Sequence, residues 1–475
     1  MKKTKPKKIT QTVNPGTFDA PHLPGTCRRA IKIAMLGAGS GFTPRLMTDV
    51  LSIPTLPGGE IALVDIDRSR LDTMQKLIQR VIDRLGCTKT WKVTATTDRK
   101  PALRGAHYVV NCIEVSGVDC VRHDNNIPLR HGIDQCIGDT IGPGGLFKGL
   151  RTGPVFLDIL RDAEQLCPDA LVLNYTNPMS ILCLAAARAS KMRVLGLCHS
   201  VQFTIERLAA RAGLPQGQID FDCAGINHLA WFTRLQHKGR DLYPKLMKMA
   251  ESDLAGKLAD PADLDLVRKD MMLHFGAFIT ESSGHLSEYL PYYRKRKDLI
   301  KKYCRPNYDG ESGFYARNWP KWRKSADKLR LAMLAGKESI EWPRTFEYAS
   351  WIIEAIEKNA PFHAYITVPN RTPKGDLLIT NLPADGVVEV KCLVNGKGVQ
   401  PQPYGALPPQ MAAICASNMA MCDLAATAIV ERSKEAAIHA LMLDPLTAAV
   451  SSPAEIKKMA TQLFAAEAKF LKGYK

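Results

Sequence analysis

No stretch of this 475-residue chain stays apolar for the roughly 18–20 residues that a bilayer-spanning helix needs, so the expectation is a protein with no membrane partner. The N-terminus, Met1-Lys-Lys-Thr-Lys-Pro-Lys-Lys8, is basic, but no apolar segment follows it as it would in a secretory signal. Residues 1–30 therefore read as a basic disordered arm. The thirteen cysteines have no paired spacing, which excludes a disulfide framework and fits reduced cytosolic thiols. There is no internal repeat and no low-complexity linker. What remains is an ordinary globular composition, 45% hydrophobic and 23% charged, long enough for two or three domains and expected in the cytoplasm.

Acidic residues are also scarce relative to basic ones: 47 Asp and Glu against 64 Lys and Arg, a formal net charge of +17. Part of the excess is the arm, and part is Tyr292-Tyr-Arg-Lys-Arg-Lys297 with Lys301-Lys-Tyr-Cys-Arg305, where basic residues alternate with aromatics. Such a tract suits a nucleic-acid surface, a solvated face, or a field that draws in an anionic small molecule. The solvated face is the expectation, with no nucleic-acid partner.

The chain does contain an ordered dinucleotide signature. Ile31-Lys-Ile-Ala-Met-Leu36 is an apolar strand that runs into Gly37-Ala-Gly-Ser-Gly41, followed by a helical segment to about Leu51 and a second strand, Glu60-Ile-Ala-Leu-Val-Asp65. In a βαβ unit of this kind glycines let the backbone approach a pyrophosphate at a helix N-terminus. Gly37, Gly39, Ser40 and Gly41 are the candidate cradle, although Phe42 stands where the third glycine of the G-x-G-x-x-G pattern belongs. Asp65, ending the second strand, can accept both ribose hydroxyls and disfavour a 2′-phosphate.

Strands alternate with helices onward: Trp91–Thr96, His107–Ile113, Leu171–Asn174 and Val194–Leu197, with helices near 152–166 and 178–190. This predicts α/β architecture, a Rossmann-like doubly wound sheet over 31–220. Ile137-Gly-Asp-Thr-Ile-Gly-Pro-Gly-Gly145 reads as a glycine-rich loop that carries Asp139. Beyond it the pattern changes. A strand-like run from Ala224 is followed by helices to about 360, broken near Gly310 and Pro320, then a hairpin at Val387–Gly396 and Ala- and Met-rich helices from about 408. A mixed α+β domain over 221–475, catalytic and oligomerising, is expected. Cys198 lies at the end of the Val194–Leu197 strand and His228 some thirty residues later. Ligands bind beyond the carboxyl ends of parallel strands, so this pair is a candidate site; by themselves a buried thiol and a core histidine are the blander alternative.

Gly37-Ala-Gly-Ser40, Asp65, Gly149-Leu-Arg-Thr152, Leu173-Asn-Tyr-Thr-Asn-Pro-Met179, Leu197-Cys-His-Ser200, Gly225-Ile-Asn-His-Leu-Ala-Trp231 and Glu281-Ser-Ser-Gly-His-Leu-Ser-Glu-Tyr289 together resemble glycoside hydrolase family 4. The likeness is closest to its α-galactosidase, melibiase-type branch, and Leu407-Pro-Pro-Gln410 and Ala440–Ala449 extend it toward residue 465. Members of that family depart from the two-carboxylate scheme of most glycosidases. The resemblance implies that bound NAD takes hydride from sugar C3, that a base removes the acidified C2 proton while a divalent metal, usually Mn²⁺, stabilises the enediolate, and that the C1 substituent is eliminated before water adds and hydride returns.

Residue by residue, the resemblance makes Cys198 and His228 the metal ligands, Asn177 a substrate contact, and His199 the acid. The base falls within Glu281–Tyr289; Tyr289 is favoured, with Asp139 as its helper, while His285 and Glu281 stay open. Gly284 departs from the larger acidic residue of α-galactosidases and leaves the sugar open. If the glycoside is anionic (a uronate, sulfonated or phosphorylated sugar), Arg294, Arg296 or Arg305 could clamp it. The resemblance also implies a homodimer or homotetramer. Alternatives from other classes are an NAD-dependent sugar or hydroxy-acid dehydrogenase, which produces NADH in net terms, and a nucleic-acid binder.

Overall fold

The computed structural model describes residues 22–258, 260, 263–372 and 374–475. Thirteen strands form one sheet: β1 (Ile31–Leu36), β2 (Gly59–Val64), β3 (Trp91–Thr96), β4 (Tyr108–Asn111), β5 (Leu171–Asn174), β6 (Arg193–Gly196), β7 (Asp220–Ile226), β8 (Leu229–His237), β9 (Arg240–Asp241), β10 (Phe278–Ile279), β11 (Phe362–Pro369), β12 (Val387–Asn395) and β13 (Gly398–Pro401). The order is β10-β8-β7-β12-β11-β6-β5-β4-β1-β2-β3, with β13 paired to β12 and β9 to β8. The run from β6 to β3 is wholly parallel, and its order reverses at β1, as in a doubly wound dinucleotide fold. Its short strands are buried on both faces, as parallel strands covered by helices must be.

The sheet does not stop at residue 220. β11 lies antiparallel to β6 through Thr367 and Gly196 and pairs along its whole length with β12, which meets β7 at Glu389 and Gly225. The antiparallel half thus continues the parallel one, and the hairpin expected at Val387–Gly396 is the β12–β13 turn, closed by Asn395 opposite Gly398. β11 had no expectation attached to it in the sequence.

Three boundaries differ from expectation. The arm read as 1–30 lies outside the described residues up to 21, but from 22 the chain is packed: Leu23 is buried, its N–H donates to Glu354 at 3.0 Å, and its carbonyl accepts from Lys358 at 2.9 Å. The helix expected from 152 begins at Gly142, so much of the glycine-rich loop is helical. Pro143 is tolerated there because the first helical turn has no amide partner to lose. Pro320 lies inside its helix, Phe314–Leu334, and removes one backbone hydrogen bond without ending it.

All thirteen cysteines are unpaired. The helix Pro409–Glu431 is long and apolar enough on average to cross a membrane, although polar residues such as Asn418 and Asp423 interrupt it. Half of that stretch is buried inside the protein, where Cys415, Met421, Cys422 and Ala425 pack in the main core beneath the helices Gly142–Leu166 and Met179–Ala189.

Candidate active site

The two edges of a site are set by strand ends. At β1, Gly37 has φ +72, and a side chain there would put its Cβ 2.4 Å from the Cys112 carbonyl, so only glycine makes this turn. Asp65 receives the Gly39 N–H at 2.7 Å and the Asp67 N–H at 2.9 Å, which draws the glycine turn against the end of β2. Gly37, Gly39, Ser40, Gly41 and Asp65 are thus gathered at one strand edge, with both Asp65 oxygens already accepting backbone amides. Three strand intervals away, on the order of 14 Å, the same edge of the sheet carries Cys198 just after β6.

Cys198 meets residues from the antiparallel half. His228 sits in the tight β7–β8 turn at φ 63, and its Nε2 lies 3.3 Å from Cys198 Sγ. Thr280 N–H donates to the Ala230 carbonyl at 2.9 Å, and Thr280 Oγ1 accepts from the Ala230 N–H at 3.2 Å. This double link holds the next residue, Glu281, beside the turn, with its Oε2 3.7 Å from His228 Nε2. One donor atom from each of Cys198, His228 and Glu281 lies within 4.8 Å of the others, a soft, a borderline and a hard donor converging as a transition-metal site requires. Both His228 and Glu281 (φ 73) hold left-handed backbone, a strain of the kind that clusters at functional sites.

The electrostatics suit a cation. Burial lowers the His228 pKa to about 4 despite Glu281, so the ring is neutral and free to ligate. Burial, then Glu281 and Glu389, push the Cys198 thiol well above its ordinary value, a penalty that a divalent cation offsets by binding the thiolate. Burial raises the Glu281 pKa, but the surrounding histidines, of which His285 is a charged one, outweigh it and lower it below the ordinary carboxylate value. His228 Nδ1 and Asn177 Oδ1 are buried without a partner among the described residues.

Around this set stand three candidate proton-handling groups. His285 lies with its ring centroid 4.7 Å from that of His228, Nδ1 3.3 Å from Glu281 and Nε2 3.7 Å from Asp139. Burial disfavours its charge, yet Glu281 and Asp139 raise its pKa to about 9. Asp139 is buried too, but Lys148 at 3.4 Å and His285 hold it far below the usual carboxylate range; Lys148 also pairs with Glu114 at 2.9 Å. His199 keeps a third of its side chain exposed and binds Glu347 at 3.0 Å through Nδ1. Burial works against its protonation, and that hydrogen bond more than compensates.

Two expected roles are corrected. Tyr289 is buried, and burial followed by the nearby Cys422, Asp139, Glu288 and Glu281 pushes its phenol well above 10. A neighbouring carboxylate raises a phenol's pKa rather than lowering it, so Asp139 cannot activate Tyr289 as a base. Arg294 is fully buried: its guanidinium pairs with Asp134 and donates to the Asp134 carbonyl, Ser287 and the Gly310 carbonyl, each at 3.0 Å. It is spent on folding the 287–310 segment and cannot clamp a substrate. Arg296 is an exposed partner of Asp298. Tyr293 and Arg294 are inside, but Lys295, Arg296, Lys297, Lys301 and Lys302 are exposed, so most of the charge of the basic-aromatic tract lies on a solvated face.

Sequence reasoning missed Glu347 and Lys148, and weighed Glu281 only as a base. Lys148 adjoins the quoted Gly149-Leu-Arg-Thr152 motif and could have been found there; Glu347 has no local signal. Its position comes from Thr345, whose N–H donates to buried Asp49 at 2.9 Å and whose hydroxyl accepts from the Glu347 N–H at 3.2 Å. Gly284 also acquires a reason: a Cβ there would lie 2.3 Å from the Tyr308 carbonyl, so the 307–309 turn occupies the space of a larger residue.

Residues 32–214 match the family model described as "Family 4 glycosyl hydrolase", and residues 223–447 match "Family 4 glycosyl hydrolase C-terminal domain". The chain is similar to an alpha-galactosidase of Bacillus subtilis (strain 168), 39% identical over 94% of this chain and 100% of that protein. It is also similar to an alpha-galactosidase of Rhizobium meliloti (strain 1021), 36% identical over 94% and 90%. Among solved structures, a 6-phospho-alpha-glucosidase from gut microorganisms in complex with NAD and Mn²⁺ superposes with a TM-score of 0.76 at 21% identity, over 93% of this chain and 99% of that one.

Proposed function

Since the chain belongs to family 4 of the glycosyl hydrolases, we propose that it hydrolyses neutral α-galactosides with the help of NAD and a divalent metal such as Mn²⁺. The observation that carries this reading is the convergence of Cys198, His228 and Glu281 on the sheet edge that also bears the Gly37–Gly41 turn and Asp65. A hydrolase that acts by simple displacement has no use for a dinucleotide cradle. When bound, the dinucleotide supplies reversible hydride acceptance at sugar C3, and the metal supplies Lewis acidity to the C2 and C3 oxygens.

The residues of this chain do the rest. Cys198, His228 and Glu281 hold the metal, and Asn177 offers its unpartnered side-chain oxygen to a sugar hydroxyl. His285, set between Glu281 and Asp139, is the group placed to take the C2 proton, with Asp139 fixed by Lys148 to orient it. Because those carboxylates raise its pKa to about 9, the deprotonated fraction of the ring is the base at neutral pH. His199, whose pKa the Glu347 hydrogen bond raises, is placed to give its proton to the leaving oxygen and is open enough to reach it.

A neutral sugar is favoured because the cationic side chains described around the site are already paired with carboxylates: Lys148 with Glu114 and Asp139, His285 with Glu281 and Asp139, and His199 with Glu347. The test is a panel of nitrophenyl α-glycosides, neutral and anionic, assayed with NAD⁺, Mn²⁺ and a reductant. The galactoside should be cleaved with no net NADH. A higher kcat/KM for any acidic glycoside overturns the substrate, and NADH formed in proportion to product makes the enzyme a dehydrogenase instead.

A further inference from the structure

We propose that Arg323, on the helix Phe314–Leu334, grips a phosphate of the bound dinucleotide and so closes the cofactor crevice from the far half of the chain. The proposal rests on the dinucleotide reading of the Gly37–Gly41 turn and adds a binding residue that the sequence around that turn does not contain.

The crevice lies where the strand order reverses. It has two lips: the turn after β1 and the loop after β4, which holds Ser116 and Gly117 in left-handed backbone. The helix Phe314–Leu334 touches both. At the first lip, Arg330 donates to the Gly39 carbonyl at 3.2 Å and the Ser40 carbonyl at 2.9 Å. At the second, Arg323 Nη1 lies 2.5 Å from where a Cβ on Gly117 would be, so its guanidinium rests on the bare backbone of that loop. Arg323 thus lies across the mouth between the lips instead of extending away into solvent.

The charge balance there is incomplete. Arg70 donates to the Gly39 carbonyl at 2.5 Å, and both Arg70 and Arg330 pair with the same carboxylate, Asp327, at 3.3 and 2.9 Å. The oxygens of Asp65 already receive the Gly39 and Asp67 amides. Among the described residues Arg323 has no carboxylate partner. Burial, and after it Arg323, hold Arg70 below the ordinary arginine value, which places the guanidiniums close enough to repel. A phosphate relieves that repulsion, and a planar guanidinium fork fits phosphate oxygens in pairs. Gly117 supplies the room, because any side chain would displace the Arg323 head.

The contact could be to the pyrophosphate or to the 2′-phosphate of NADP, and four ligands separate them. Full-length protein stripped of endogenous nucleotide is titrated calorimetrically with NAD⁺, NADP⁺, ADP and adenosine, for wild type, Arg323→Ala, Arg323→Gln and the neighbouring surface control Lys324→Ala. Both Arg323 variants should bind NAD⁺ and ADP about ten- to a hundredfold more weakly, the range for a lost charge-assisted hydrogen bond. Adenosine should be unaffected, and the control should match wild type. A loss confined to NADP⁺ supports the grip and assigns it to the 2′-phosphate. Unchanged affinity for all the phosphate-bearing ligands, or an equal loss for adenosine, overturns the proposal while leaving the dinucleotide reading standing. Wild-type protein that binds no dinucleotide overturns both.

Discussion

His228 and Glu281 face each other across 3.7 Å, both in left-handed backbone, one in a hairpin turn and the other just past an edge strand. Neither residue is glycine, so each position accepts conformational strain to aim a side chain at Cys198. Replacing Glu281 by Gly and by Ala separates the two effects. Both variants should lose Mn²⁺ affinity and activity by orders of magnitude while NAD⁺ affinity stays near wild type. In urea melts with chelator present, Gly should exceed Ala in stability by about 1 kcal/mol, the cost of an L-residue in this conformation. Equal stabilities would remove the strain argument, and retained Mn²⁺ affinity in both would remove Glu281 from the ligand set.

If C2 deprotonation precedes bond cleavage, product formed in D₂O carries deuterium at C2. His285→Ala should suppress this exchange and turnover together while leaving Mn²⁺ binding measurable, because its ring neighbours the ligands without being one of them. Tyr289→Phe should exchange at nearly the wild-type rate, since its phenol is buried with a pKa far above neutrality. NMR of the released sugar reads both. The opposite pattern restores Tyr289 as the base, and protium fully retained at C2 in the wild type would falsify the elimination route.

Asp444 caps the helix Pro445–Val450 by accepting the Thr447 N–H at 2.8 Å, and burial, reinforced by Glu288, raises its pKa from 3.8 to about 6. The folded protein therefore holds this proton more tightly than the unfolded chain does. The stability linked to it is present below the unfolded value and is lost as pH rises through about 6. An asparagine keeps the cap without the charge. Asp444→Asn should gain on wild type by about 2 kcal/mol between pH 4.5 and 8 in urea midpoints. A pH-independent difference would mean that Asp444 is ionised throughout.

Much of the parallel half was legible because its signals are local. The Ile31–Leu36 strand, the glycine turn and Asp65 follow one another within a single βαβ unit, and each apolar strand from β3 to β6 announced itself by hydrophobicity. The antiparallel half was less legible. β10 is only two residues long, and β11 follows directly on a helical run although Asn359, Pro361 and Asn370 bound it. Pro320 and the Gly142–Gly145 run looked like helix breakers; the glycines open their helix, where the backbone tolerates them, whereas Pro320 lies inside its helix at the expense of one backbone hydrogen bond.

The sequence by itself determined the doubly wound sheet, the cofactor turn, and the presence of a thiol and an imidazole at strand ends, because periodicity and glycine placement are properties of neighbouring residues. Only the tertiary structure decided what stands beside them. Glu281 reaches His228 through the β8–β10 pairing, Glu347 reaches His199 through a loop pinned on Asp49, and Arg323 reaches Gly117 along a helix from the other half of the chain. Solvent exclusion likewise decided which polar groups remain available: Arg294 and Tyr289 have suitable chemistry by residue type, but one is consumed by Asp134 and the other is held neutral by its own burial. Partners and dielectric are set by contacts between distant segments, and no spacing within one segment encodes them.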